Sequence, residues 1–448
     1  MRYFLSTLSM LCVLTIFAQT DPKIYDIIDA VSEERLKNDV KTLADFGTRH
    51  TLSDTVSETR GIGAARRWIK SEFETISKDC SNCLEVFYQS NLIEKGTNQR
   101  IVKDVNVVNV VAIQRGTKYP NRYIIMSGDI DSRVSDPTDF TSDSPGANDN
   151  ASGMAGAIEA ARVLSKYEFE SSIVYLGLSG EEQGLFGGQG MAKYAKDNNW
   201  DIIGVLNNDM IGNITGVDGV IDNRSFRIFS EPITTAETDP KKLARQARGR
   251  RFYGGEVDGI SRQLARYVYK TTKTYMPEMN PIMIYRLDRF GRGGHHRPFN
   301  DVGFAGIRIM EAHENYTQQH QDIRTEDGIN YGDTFEHVNF GYAKKLTAVN
   351  AITMASLASA PPAPNEVGIG GIVEPSAKLK WNKVDGAKGY KIYWRDTTSP
   401  TWDNSRYVGN VTEFTLDGIV IDNFFFGVAS VGSDGHESVV VFPNNIIR

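Results

Sequence analysis

Carboxylates collect at four points of this chain, each at or beyond the end of a run of apolar residues. "YIIMSGDID" ends on Asp129 and Asp131, "GANDNASG" carries Asp149, "YLGLSGEEQGLFG" sets Glu181 beside Glu182, and "VLNNDMIG" contains Asp209. A further run, "IRIMEAHENYTQQHQD", leads to His313 and His320. Carboxylate oxygens and imidazole nitrogens are the ligand set of catalytic zinc or a similar divalent ion. Brought together without cations, so many acids would repel one another and have strongly raised pKa values. Two ions sharing a bridging carboxylate would remove that repulsion, acidify a water and bind the carbonyl oxygen it attacks. In the Glu181–Glu182 pair only one side chain need ligate; the other is free to take the water's proton and pass it to a leaving amine. The plain alternative is a solvated acidic loop, since Ser127 to Gly153 holds six aspartates against the single base Arg133. One such loop would be surface decoration; separate strand ends carrying metal-type ligands argue for a shared site.

The elements that must position these residues are legible as alternating segments between about Asp104 and Ala360. "NVVNVVAI", "RYIIMSG", "SIVYLGLS", "IIGVLNNDMIG", "PIMIYRL" and "AGIRIME" read as strands buried on both faces. "ASGMAGAIEAARVLSKY", "GGQGMAKYAKDN" and "ISRQLARYVYKTTKTY" read as helices between them. A closing helix is expected over about Phe335 to Leu357, and "SEERLKNDVKTLADFG" and "GIGAARRWIKSEFETIS" as helices packed outside. The order predicts an α/β sandwich. In an open sheet of that kind ligands bind beyond the carboxyl ends of the strands, where the acids lie. At Ala358 the texture changes: "ASAPPAPNEVG" is a linker, and short alternating runs after it predict a small all-β sandwich over 361–448, with "NFFFGV" in its core. The expected division is therefore 1–19, 20–360 with a motif core over 104–360, and 361–448.

Net charge is −6 over 448 residues, which argues against a nucleic-acid surface. The basic run "KKLARQARGRR" (Lys241 to Arg251) reads as a solvated helix face. "MRYFLSTLSMLCVLTIFAQT" has the positive start, short apolar run and small Ala18 of a secretory signal peptide, too short for a span. The flanks of Cys12 are wrong for lipidation. A secreted or periplasmic protein without stable membrane insertion is expected, and in that compartment Cys80 and Cys83 of "DCSNC" would form a local disulfide.

Together "GANDNASG", "GEEQGLFG", "NNDMIG" and "ENYTQQHQD" resemble the motifs of metallopeptidase family 28, of the secreted bacterial aminopeptidase type. The resemblance implies a mixed central sheet with helices on both faces (phosphorylase/hydrolase-like) and two co-catalytic zinc ions acting on a peptide or protein substrate. It implies that Asp149 bridges the ions, that Asp209 binds the first, and that Glu182 and His320 bind the second. Glu181 would be the general base and acid, and Asp131 a residue beyond the ligands that orients the site. It also implies a hydrophobic side-chain pocket. The chain departs from the pattern at Asp129, where the family has a histidine. An oxygen still ligates zinc, so Asp129 is expected as a ligand, but the harder site could favour Mn, Mg or Ca, or leave the first position weak or empty. A second departure is Gln319 before His320, where the family's small secreted enzymes carry a tyrosine close by; Tyr316 is not assigned that role. In similar members the "GRGGHHRPFND" region borders the pocket, so His296 either touches substrate or is a plain turn histidine; His313 reads as structural. The C-terminal segment resembles a fibronectin type III module with Trp381, Tyr390 and Tyr393 inward and an accessory role. The expected protein is a metal-dependent exopeptidase, foremost an aminopeptidase. The alternatives are a carboxypeptidase, a single-metal glutaminyl-cyclase-like enzyme on the same scaffold, or a non-enzymatic binding protein.

Overall fold

The computed structural model describes residues 20–233 and 236–447; the expected signal peptide at 1–19 lies outside them. Chain order begins with helices α1 (Pro22–Ala30), α2 (Glu33–Asp45) and α3 (Gly61–Asp79). Then follow β1 (Leu84–Ile93), β2 (Val105–Gln114), β3 (Tyr119–Asp129), α4 (Gly153–Leu164), β4 (Ser171–Leu178), α5 (Phe186–Asp197) and β5 (Asp201–Asn208). Next come β6 (Ser225–Ser230), α6 (Pro240–Tyr253), α7 (Ile260–Tyr275), β7 (Asn280–Ile284), α8 (His296–Asp301) and β8 (Gly306–Glu311). A small hairpin, β9 (Arg324–Glu326) and β10 (Ile329–Tyr331), precedes α9 (Phe340–Ser359).

The large sheet has the order β1-β2-β4-β3-β5-β8-β6-β7. Its centre, β4-β3-β5-β8, is parallel, which is why those strands read as unbroken apolar runs: helices cover both faces. Ile124 and Met126 of β3 pack into one core with α1, α2, α3, α4, α7 and α9. Tyr123 and Ile125, offset by one residue, pack into the other core with α5 and α8. Asn339 caps α9, its side chain accepting the Tyr342 N–H at 2.8 Å, and nearly every side chain of that helix is buried, as an all-round apolar helix requires. The helix starts five residues later than expected, because 335–337 form only a 3₁₀ turn. Strand β1 escaped the sequence reading: it is an edge strand, half exposed, paired only to β2. α6 carries the basic run and buries no residue, so it is the solvated helix expected.

Beyond α9, seven short strands form two sheets. One joins β11 (Gly368–Gly370), β12 (Ala377–Lys380), β15 (Glu413–Leu416) and β17 (Asn445–Ile446); the other joins β13 (Gly389–Asp396), β14 (Asn404–Gly409) and β16 (Phe424–Val431). Leu379, Leu416 and Trp381 meet Tyr390, Ile392, Phe426 and Val428 in a shared core. Tyr393 does not join them. Strand period two turns it to the opposite face, where its hydroxyl accepts from Lys270 of α7 at 2.8 Å and contacts Glu437. Asp258, just before α7, is buried between Arg395 (2.8 Å) and Arg266 (2.7 Å). The sandwich is thus bolted to the α/β body. Cys80 and Cys83 are joined in a disulfide. Among the described residues no helix is long and apolar enough to cross a membrane.

Candidate metal centre

Asp129 is the last residue of β3, and Asp131 lies two beyond. Asp149 lies in the turn that opens into α4, Glu181 and Glu182 between β4 and α5, Asp209 directly after β5, and His320 in the loop after β8. All sit at the carboxyl edge of the parallel strands. Two glycines let the segments close up. A Cβ on Gly128 would lie 2.5 Å from the Gly153 backbone, and one on Gly153 would lie 2.3 Å from the Asn208 carbonyl oxygen. Only glycine permits such an approach of β3, α4 and β5.

Three of the expected ligands converge. His320 Nε2 lies 3.0 Å from Asp149 Oδ2 and 2.9 Å from Glu182 Oε1. Among the described residues these are the only three side chains of metal-ligand type whose donor atoms all fall within 4.8 Å of one another. Two carboxylates and an imidazole are a sufficient protein set for one catalytic zinc, with the fourth position left open. Arg133 braces them: its Nε donates to Glu182 Oε2 at 2.7 Å, and its Nη2 lies 2.7 Å from His320 Nδ1. Burial would lower the His320 pKa, but Glu182 and Asp149 outweigh it and push it up to about 9, so the imidazole supplies positive charge where a cation would otherwise sit. Gln319 Nε2 donates to Asp149 Oδ2 at 3.1 Å, and Asp333 accepts the Asn148 and Asp149 N–H groups at 2.8 and 2.6 Å. Burial would raise the Asp149 pKa, but His320, Arg289 and Gln319 outweigh it and hold the carboxyl below its usual range.

Asp129 and Asp209 are held differently. Asp129 Oδ1 lies 2.5 Å from His295 Nδ1, and Oδ2 accepts from Asn150 at 2.7 Å. Asp209 Oδ2 lies 2.7 Å from Arg308 of β8, which also pairs with Asp288 at 3.1 Å. Burial pushes both Asp129 and Asp209 up to about 8 against the pull of Arg308. Glu181 is pushed well above the ordinary carboxylate value, first by burial and then by Glu182, Asp209, Asp129 and Asp149.

Asp131 accepts the backbone N–H of Glu181 at 3.2 Å and of Glu182 at 3.1 Å, and the Thr51 hydroxyl at 3.0 Å. His296 is fully buried, bonded to the Leu287 carbonyl at 2.8 Å, and does not line the cavity. His313, partly exposed, lies 3.9 Å from Asp222, away from the acids.

The centre opens into a cavity of about 560 Å³ lined by Asp149, Glu181, Glu182, Asp209 and His320. Arg100, Arg133, Arg289, Arg292 and Arg297 complete the wall, and Leu185 is its one large apolar side chain. The hydrophobic pocket implied by the resemblance is therefore absent from this wall. Sequence reading missed Arg133, His295, Arg308 and Asp333. Arg133 and Arg308 did leave a signal, as the lone base in an acidic stretch and the lone base in the apolar run "AGIRIME", since a buried charge needs a partner.

The sequence model of Peptidase family M28 matches residues 109–344, which contain all of these acids and His320. The chain belongs to peptidase family M28. A probable zinc metalloprotease of Pyrenophora tritici-repentis is 38% identical over 428 residues, covering 94% of this chain and 98% of that protein. The LapA aminopeptidase of Legionella pneumophila shares the fold with a TM-score of 0.52 at 15% identity, over 80% of each chain. A glutaminyl cyclase of Macrostomum lignano does so with a TM-score of 0.52 at 12% identity, over 75% of this chain and 92% of that one.

Proposed function

We propose that this M28 peptidase is a zinc-dependent exopeptidase, secreted or periplasmic, that removes residues from the amino ends of peptides. The observation that carries the reading is the meeting of Asp149, Glu182 and His320 at the floor of a cavity that Glu181 also lines. Zinc is supported by the donor set and by the relatives' description as probable zinc metalloproteases. Asp149, Glu182 and His320 would hold the ion. When bound, it supplies Lewis-acid polarisation of the scissile carbonyl and lowers the pKa of a water.

The rest of the work falls to this chain's own groups. Glu181 takes the water's proton on its carboxylate and returns it to the departing amine. Asp131 fixes the backbone under Glu181 and Glu182 and so orients both side chains. Glu181 at the cavity floor gives the substrate's α-ammonium group an acidic partner. Of the wall arginines, Arg133 faces Glu182, Arg289 and Arg292 face Glu314, and Arg297 faces Asp301. Arg100, not paired with a carboxylate among the described residues, suits a substrate that carries a carboxylate further along, in an acidic side chain or at the end of a short peptide. The sandwich over 361–448, read as a fibronectin type III-like module, is accessory: its residues are not among those lining the cavity.

Turnover of aminoacyl chromogenic substrates and of amino-blocked and carboxy-blocked peptides, with and without chelator, tests the reading. Chelator-sensitive release that an amino block abolishes is expected. Release from amino-blocked peptides would point to a carboxypeptidase, and ammonia release from N-terminal glutamine without peptide cleavage would point to cyclisation. No chelator-sensitive turnover of any substrate would sink the proposal.

A further inference from the structure

We infer that the first of the two metal positions implied by the family resemblance is lost in this chain, and that the Arg308 guanidinium stands in its place, leaving a centre for one divalent ion. The inference rests on the reading of the centre as a metal site but not on its substrate.

Geometry is the first ground. A first ion would need Asp209, Asp149 and a third donor at position 129. Asp129 is present, but one of its oxygens faces His295 Nδ1 at 2.5 Å and the other accepts from Asn150 at 2.7 Å. Among the described residues, no group of three ligand-type side chains includes Asp129, Asp209 or His295, whereas Asp149, Glu182 and His320 form one.

Charge is the second. β8 runs parallel to β5 with Arg308 opposite Asn207, two residues before Asp209. The register delivers the guanidinium to the Asp209 carboxylate, 2.7 Å away. Arg308 is fully buried and fixed from behind by Asp288 at 3.1 Å and by the Gly293 carbonyl at 3.1 Å. A guanidinium stays charged at any working pH. An ion bound to Asp209 would sit beside this fixed positive charge in a buried setting, where like charges are poorly screened. The guanidinium acts on Asp209, Asp288, Glu181 and Asp149, although burial still leaves Asp209 and Glu181 raised.

The two features belong together. Replacing the expected histidine by Asp129 removes a ligand and adds negative charge. Arg308 adds one positive charge on the same side, and His295 and Asn150 tie up the new carboxylate. A neutral histidine at 129 would suit an ion; an aspartate with a facing arginine suits a protein-built cation.

The test is metal counting on the full chain. Metal-free protein is titrated with zinc, freed of loose metal by gel filtration, and assayed by atomic emission and by native mass spectrometry. One ion per chain is expected. Two per chain would overturn the inference and leave the peptidase reading standing; none would sink the metal-centre reading itself. Asp129→His combined with Arg308→Met is expected to raise the count from one to two in folded protein. A folded double variant that still binds one ion would show that Arg308 is not what excludes the second. If that variant does not fold, the wild-type count decides alone.

Discussion

Asp131 holds Glu181 by its backbone, accepting the Glu181 N–H at 3.2 Å through one oxygen while the other takes the Glu182 N–H at 3.1 Å. One buried carboxylate thus sets the position of both the proposed proton carrier and a proposed metal ligand without touching either side chain's working atoms. The strand ends deliver the acids to the edge of the sheet, and this clamp sets their spacing.

Asp131→Asn should therefore impair the centre without emptying it. An amide can turn a donor toward one of those N–H groups, where an acceptor is needed. A loss of about 10–100-fold in kcat or in zinc affinity is expected, the size usual for residues that support metal ligands. Steady-state kinetics beside a chelator-competition titration measure both; unchanged values in a folded variant would refute the clamp.

Glu181→Gln separates chemistry from metal binding. The amide keeps the shape but cannot accept the water's proton. A fall in kcat of about 10²–10⁴-fold is expected, with zinc content unchanged. If the variant still turns over peptide at the wild-type rate, Glu181 is not the base.

Part of the fold and of the site is legible along the chain and part is not, for physical reasons. Asp149, Glu182 and His320 could be found because each follows a strand and because acids and a histidine at strand ends have few other uses. The central strands were legible because helices bury both their faces. Strand β1 was not: its burial alternates along most of its length, but apolar and polar residue types in "LEVFYQSNLI" do not. The pairing of Arg308 with Asp209 could not be read along the chain at all: it exists only through the β5–β8 register. For the same reason Asp129 could be seen to differ from a histidine, but not to be tied to His295 and Asn150.

Arg100 should tune substrate choice. It lines the cavity, its side chain donates to the Glu182 carbonyl, and its own charge is not paired with a carboxylate among the described residues. Arg100→Ala is expected to raise KM for peptides with an acidic side chain or a nearby free carboxylate by about 5–10-fold, the worth of one partly exposed charge-assisted bond. KM for a neutral, carboxy-amidated peptide should change far less. The ratio of the two KM changes is the readout, and equal changes would argue that the residue only supports the Glu182 backbone.

Acid should loosen the sandwich from the α/β body through Glu437. Burial alone would raise this carboxyl, but Lys270 and Lys391 outweigh it and hold it at about 2, against an ordinary 4.5. Lys270 is 2.7 Å away on α7 and Lys391 3.1 Å away on β13, so one carboxylate ties the two parts together. A depressed carboxyl binds fewer protons folded than unfolded between those pH values. Its stabilisation is therefore complete above pH 4.5 and fades as pH falls toward 2. At about 1.4 kcal/mol per unit, the contribution at neutral pH is on the order of 3–4 kcal/mol. Glu437→Gln should lower the unfolding temperature at pH 7, and its deficit relative to wild type should shrink steadily between pH 4.5 and pH 2.5 in parallel thermal melts. A deficit that stays constant across that window would show that the Glu437 charge does not anchor the sandwich.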